Sequence, residues 1–171
     1  CPHVSDEAKE KLAESSAPPI RLVTLSSDGR KVEAGNEIVL FRHEKRFFNP
    51  AGIFIRVHAD QPLEEIKQQV DEAMSYSVEY VGMDLSLDGI AVQAKDSGEA
   101  FADAVGAVLE TVEVPLILIA DEPDVMAKGL DAASGTHPLV YGATTDNWEA
   151  FASLAKEHGA PLAVRAHTMS G

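Results

Sequence analysis

Cysteine is almost absent: Cys1 is the single example in a chain of 171 residues. An internal disulfide framework is excluded, and a reducing, cytoplasmic setting is the expectation. Cations are scarce too, with 14 Lys plus Arg against 28 Asp plus Glu and a formal net charge of -14 at pH 7. That field repels phosphate backbones and offers no basic patch to anionic lipid, so neither nucleic acid nor a membrane is an expected partner. No apolar run approaches the roughly 18 to 20 residues that cross a bilayer, and Cys1 to Glu7 lack the basic start and apolar stretch of a secretory signal. A P-loop, a dinucleotide fingerprint and a nucleophile elbow are missing as well, and no histidine pair has a recognised ligand spacing such as His-x3-His on a helix. The residues alone do not demonstrate catalysis.

What is present suits one sizeable core, since 45% of the residues are hydrophobic. Ser5 to Glu14 consists of strong helix formers with Ser5 as a cap, and predicts a short charged helix. Ser15 to Pro19 ends it, because proline cannot donate to a helical ladder and restricts the residue before it. Arg21 to Leu25 and Glu37 to Arg42 read as two strands around an Asp28-Gly29 turn, giving a β-hairpin appendage over residues 21–50.

Beyond Asn49-Pro50, near-continuous apolar runs alternate with helical stretches. The predicted strands are Ile53 to His58, Val78 to Leu85, Pro115 to Ala120, Pro138 to Gly142 and Pro161 to Ala166, with the apolar character of strands covered on both faces. Between them, Leu63, Ile66, Val70 and Ala73 form one helical stripe and Phe101, Val105, Val108 and Val112 another. Asp60, Ser97, Asp121 and Asp146-Asn147 stand where helix N-termini need oxygen acceptors, and Gly159 stands as the stop of the last helix. Such repeated strand-helix units require parallel strands and right-handed crossovers. The fold class is therefore α/β. With no glycine-rich loop after the first strand, a partial (β/α)8 TIM barrel of about five βα units is preferred to a doubly wound sheet. A whole barrel needs about 200 residues or more, so the chain reads as a truncated barrel over 51–171, with an apolar edge at its last strand.

In such a barrel, functional groups gather where the strands end. There stand His58 and Asp60, Asp84 and Ser86, Asp121, Thr144, Thr145 and Asp146, and His167 and Thr168. Helix capping is the expected work of Asp60, Asp121 and Asp146, whereas Asp84 interrupts an apolar strand and is open to a structural or a chemical role. His58 and His167 could face each other across the mouth; His43 belongs to a charged cluster; His158, Trp148 and Phe151 are expected in the core.

Two stretches then resemble a known family: Cys1-Pro2-His3-Val4-Ser5-Asp6-Glu7-Ala8-Lys9 with Ala17-Pro18-Pro19-Ile20-Arg21-Leu22-Val23-Thr24-Leu25, and Glu37-Ile38-Val39-Leu40-Phe41-Arg42-His43-Glu44-Lys45. They are similar to the large (gamma) subunits of the corrinoid iron-sulfur proteins of the acetyl-CoA decarbonylase/synthase (CO dehydrogenase/acetyl-CoA synthase) system. The resemblance implies that residues 1–20 are the end of an iron-sulfur domain and a linker. It makes Cys1, in its Cys-Pro pair, the last of four cysteine ligands to a [4Fe-4S] cluster, and puts cobalamin in a C-terminal domain. It further implies a methyl carrier of the acetyl-CoA pathway, taking its methyl from a methyltetrahydrofolate or pterin methyltransferase and giving it to acetyl-CoA synthase, in a heterodimer with a small subunit. This fragment would be scaffold and docking surface, without catalytic residues and with neither cofactor of its own. The alternatives are a stand-alone barrel enzyme such as a pterin-dependent methyltransferase, with Asp84 and His58 at its mouth, and a non-catalytic interaction module in which the acidic surface and the Phe41 to Phe48 cluster dock a partner.

Overall fold

A computed structural model describes residues 4–17, 20–27, 30–36 and 49–166. The chain divides into two compact units, one of residues 1–23 and 33–51 and the other of 24–32 and 52–171.

In the first unit, helix α1 (Asp6–Ser16) begins as the sequence predicts: the Ser5 hydroxyl accepts from the Ala8 N–H at 3.3 Å and fills one orphan donor of the first turn. The helix has no buried residue. Its surface ion pairs, Lys9 with Asp6 at 2.7 Å and Lys11 with Glu7 at 3.0 Å, are worth at most a few tenths of a kcal/mol each, or about that order. Strand β1 (Val23–Ser27) pairs with β2 (Arg30–Ala34), and this pair falls mostly in the second unit. The expected first strand, Arg21 to Leu25, overlaps β1, and β2 follows it sooner than the sequence suggested; the expected return arm, Glu37 to Arg42, lies outside the described residues.

The second unit is built on five parallel strands in the order β3 (Phe54–His58), β6 (Gly89–Gln93), β7 (Leu116–Ile119), β8 (Leu139–Thr144) and β9 (Leu162–Arg165). Neighbours in space are successive in the chain apart from one antiparallel hairpin, β4 (Ser77–Tyr80) and β5 (Met83–Ser86), which interrupts the path from β3 to β6. The order never reverses, so the switch point of a doubly wound nucleotide-binding sheet does not occur within these strands. Helices α2 (Leu63–Ser75), α3 (Gly98–Thr111), α4 (Pro123–Ala132) and α5 (Trp148–Glu157) connect them, and each touches the next. That is the arrangement expected when right-handed crossovers join strands in sequence, because every helix returns over the same face.

Period-two alternation divides the strand side chains. Val57, Val92, Leu118 and Val140 share one row, with Ile90 and Leu116 beside it, and all six are buried against Ile66, Val70, Phe101, Val105, Met126 and Phe151 from the helices. Burying each such side chain contributes about 1.5 to 3 kcal/mol relative to exposure. The other face carries the rows Arg56–Ala91–Ile117–Leu139 and His58–Gln93–Ile119–Tyr141–Ala163.

One strand assignment is corrected. Val78 to Leu85 is not a strand of the parallel sheet; it forms the β4–β5 hairpin, turned at Val81 and Gly82, which both have positive φ (52° and 75°). The second parallel strand is Gly89–Gln93. Gly89 is required there, since a Cβ would run into the Pro115 carbonyl and the Phe54 ring. The remaining four strands fall where the apolar runs put them.

Candidate functional site

Parallel strands end in one direction, so the groups following β3, β6, β7 and β8 gather at one end of the sheet. There the Asp60 carboxylate accepts from the Lys95 ammonium at 2.6 Å, linking the loops after β3 and β6. The Arg165 guanidinium, at the end of β9, donates to Asp121 after β7 at 3.1 Å and lies 5.4 Å over the Tyr141 ring, so one cation is held by a carboxylate and a π-face together. Asn147 fastens the loop after β8: its Oδ1 accepts from the Thr144 N–H at 2.7 Å and the Thr144 hydroxyl at 3.0 Å, and its amide donates to the Asp121 carbonyl at 3.3 Å. A side-chain chain thereby runs from β7 through β8 to β9.

The hydrogen bond from Lys95 is the main reason the Asp60 carboxyl is held below its usual range, and the same bond raises Lys95. Both groups keep their charges at neutral pH and neutralise each other. The local chemistry is that of a tied rim.

The predicted residues separate accordingly. Asp60 and Asp121 do not cap the helices that follow them; Pro62 and Glu122 hold the N-cap positions of α2 and α4 without a side-chain cap, and the two carboxylates serve the cross-strand pairs instead. Ser97 does cap, accepting from Ala100 N–H at 3.3 Å. Asn147 occupies the N-cap of α5, with its side chain turned back to Thr144. Asp84 is not at the strand ends: it lies in β5, exposed and opposite Glu79, at the other end of the sheet, where α2 leads into β6. His58 is at the end of β3, exposed, its N–H donating to Gln61 Oε1 at 3.1 Å. Phe151 is fully buried, while Trp148 is 47% exposed and His158 ends α5 near Asp131 at 3.9 Å, so only one of these three is core. Cys1, His43, His167 and Thr168 lie outside the described residues.

Two residues at this end escaped the sequence reading because the strand carrying them was missed. Gln93 ends β6 with a buried Oε1 that has no hydrogen-bond partner among the described residues, and Lys95 follows it. The available signal was the short run Ile90-Ala91-Val92 after Asp88-Gly89, more continuously apolar than the Val78 to Leu85 segment beside it. Among the described residues no three His, Cys, Asp or Glu side chains converge to hold a metal, and no helix is long and apolar enough to cross a membrane.

Comparison with known proteins agrees over almost the whole chain. Residues 22–170 match the family model described as CO dehydrogenase/acetyl-CoA synthase delta subunit. The chain is 40% identical over 165 residues to the corrinoid/iron-sulfur protein large subunit of Moorella thermoacetica, covering 96% of this chain and 37% of that protein. It is 40% identical over 168 residues to the acetyl-CoA decarbonylase/synthase complex subunit gamma of Methanopyrus kandleri, 97% of this chain and 36% of the relative. The corresponding gamma subunit of Archaeoglobus fulgidus is 36% identical over 157 residues. The chain spans little more than a third of the length of the first two. The matched stretch takes in all five parallel strands and the helices between them, and on that ground the chain belongs to the CO dehydrogenase/acetyl-CoA synthase delta-subunit family, with gamma subunits and corrinoid/iron-sulfur large subunits among its relatives.

Proposed function

We propose that this chain is part of the large subunit of a cytoplasmic corrinoid iron-sulfur methyl carrier, and that its five strand-helix units are the opening portion of a (β/α)8 barrel serving as scaffold and docking surface. The observation that carries the reading is the unbroken order of five parallel strands, with touching helices on one face, in a chain so similar to corrinoid/iron-sulfur large subunits. A barrel is what such an order becomes when further strands join at the outer edges of β3 and β9. In the complete protein, Cys1 is the last ligand of a [4Fe-4S] cluster, cobalamin is held in another portion, and the methyl group passes from a methyltetrahydrofolate or pterin methyltransferase to acetyl-CoA synthase. A small subunit completes the heterodimer.

The described residues do not themselves fit either group. A four-iron cluster takes four thiolates and the chain has one, while at the strand ends Asp60 and Asp121 are engaged with Lys95 and Arg165. No chemical step is therefore assigned to them. Their work is to hold a rigid frame whose rim is neutralised by the Asp60–Lys95 and Asp121–Arg165 pairs. The reading of a stand-alone enzyme with Asp84 and His58 acting together loses its geometry, since the two stand at opposite ends of the sheet. Absorption and EPR spectra of the full-length protein purified without oxygen test the proposal: cobalt and iron-sulfur signals in one polypeptide are expected, and a colourless, EPR-silent protein with intact secondary structure would refute it.

A further inference from the structure

Strands β1 and β2 lie outside the parallel sheet yet touch it at separated places. Only Asp28 and Gly29 stand between them, so the two paired strands run antiparallel, as a ribbon. Residues 24–32 of this ribbon belong to the second unit, although the chain on both sides of them belongs to the first. On one arm, Ser26 exchanges two backbone bonds with His137, just before β8: the His137 N–H donates to the Ser26 carbonyl at 2.9 Å, and the Ser26 N–H to the His137 carbonyl at 3.3 Å. On the other arm, Val32 lies against Gly52, just before β3; a Cβ built on Gly52 comes within 2.7 Å of Val32 Cγ1. Arg30 lines a cavity of about 630 Å³ together with Val112, Glu113 and Val114, the approach to β7. Leu25 and Ser27, on one side of β1, are both buried. Parallel strands all begin at one end, so these contacts gather where β3, β7 and β8 start, opposite the Asp60–Lys95 and Asp121–Arg165 pairs.

We propose that the β1–β2 ribbon is a strap across the strand-start end, tying β3 to β8 and leaving the strand-end side as the side of the sheet that can open. β3 and β8 are not neighbours: β6 and β7 stand between them, a separation of about 14 Å at ordinary strand spacing. Within these strands they communicate only by way of β6 and β7, and the ribbon supplies a second, direct connection. Ser26 makes its half of that connection at no cost to the ribbon. In an extended chain the N–H and C=O of one residue lie on the same side, so the groups turned toward His137 are not those that pair β1 with β2. The inference stands apart from the barrel reading, because β3 and β8 already share one sheet and neither further strands nor a cofactor is needed to tie them.

Amide-resolved hydrogen exchange on the full-length protein tests the strap with Ser26→Pro and Val32→Ala. Proline at Ser26 removes the N–H bonded to His137 and spares the bonds within the ribbon. The start of β8 is reported by the Val140 amide, bonded to Pro161, and the start of β3 by the Asp88 amide, bonded to Ile53. Ser26→Pro should quicken Val140 exchange about fivefold, as for one lost backbone hydrogen bond, and quicken Asp88 with it. Val32→Ala acts on the other arm and should quicken Asp88 and, with it, Val140, since coupling between two sites is reciprocal. Ala59 and Ala120, whose amides bond across the strand ends, should exchange as before in both variants. Effects confined to the substituted arm, equal effects at the strand ends, or no effect would each overturn the proposal; should Ser26→Pro unfold the ribbon, the milder Val32→Ala decides alone.

Discussion

Replacing Gly129 by alanine should destabilise the α3–α4 pair, although the same change in an exposed helix stabilises. Gly129 lies within α4, and a Cβ built there meets the Phe101 ring, with Cδ1 at 2.7 Å and Cζ at 3.0 Å. Phe101 is fully buried on α3, so its ring can move only by displacing other core side chains. Overpacking of this kind costs about 1 to 3 kcal/mol, against which removal of a mid-helix glycine returns about 0.5 to 1. With the overpacking cost at its upper end, the net expectation is a loss of about 2 kcal/mol. Gly106, in the middle of α3, is the control: nothing lies within 4 Å of its added Cβ, so Gly106→Ala should stabilise by about 0.5 to 1 kcal/mol. Native-state hydrogen exchange of the α3 and α4 amides in the full-length protein measures both. Combining Gly129→Ala with Phe101→Leu should recover part of the loss, with a coupling of about 1 kcal/mol or more. If Gly129→Ala slowed exchange as Gly106→Ala does, the packing described between these helices would be wrong.

Val81→Asn should slow exchange across the β4–β5 hairpin by about 1 kcal/mol, because a β-branched residue at φ 52° is strained where asparagine is at ease; faster exchange would count against the turn geometry. Gly142→Ala should lower the thermal midpoint, since its Cβ would strike the Ala120 carbonyl; an unchanged midpoint would contradict the close approach of β7 and β8. The Asp60–Lys95 pair sets a pH window. The lowered Asp60 pKa gives a contribution present above the ordinary aspartate range and lost as pH falls through the folded value, and the raised Lys95 pKa gives one present below the ordinary lysine range and lost as pH rises through its folded value. Both groups are exposed, so the effect should be small and screened by salt; NMR titration of the Asp60 carboxyl, moving toward the ordinary range on Lys95→Ala, checks it.

The sequence displayed most of the second unit because buried parallel strands and amphipathic helices write their burial into residue order. Leu116 to Ile119 and the Phe101, Val105, Val108 stripe appear in the structure where the pattern put them. The hairpin misled for a physical reason. Val78, Tyr80, Met83 and Leu85 are apolar although exposed, so the rule connecting apolar runs with burial fails there, and Val81-Gly82 lacks the asparagine or aspartate that announces a tight turn. Strict alternation with Ser77, Glu79, Asp84 and Ser86 was the available warning, since it marks strands with one open face. At the strand ends, residue type could not separate capping from cross-strand pairing: Asp60 and Asp121 sit where caps belong, and their partners Lys95 and Arg165 are 35 and 44 residues away. No local pattern encodes such a pair.

The most direct test of a scaffold whose chemistry is housed elsewhere compares Cys1→Ala with His58→Ala in the full-length protein, reading the iron-sulfur EPR signal and methyl transfer from methylated donor to acetyl-CoA synthase. The account predicts that Cys1→Ala abolishes the cluster signal, while His58→Ala leaves both signal and transfer intact. Loss of transfer on His58→Ala, with the fold and both cofactors retained, would contradict it.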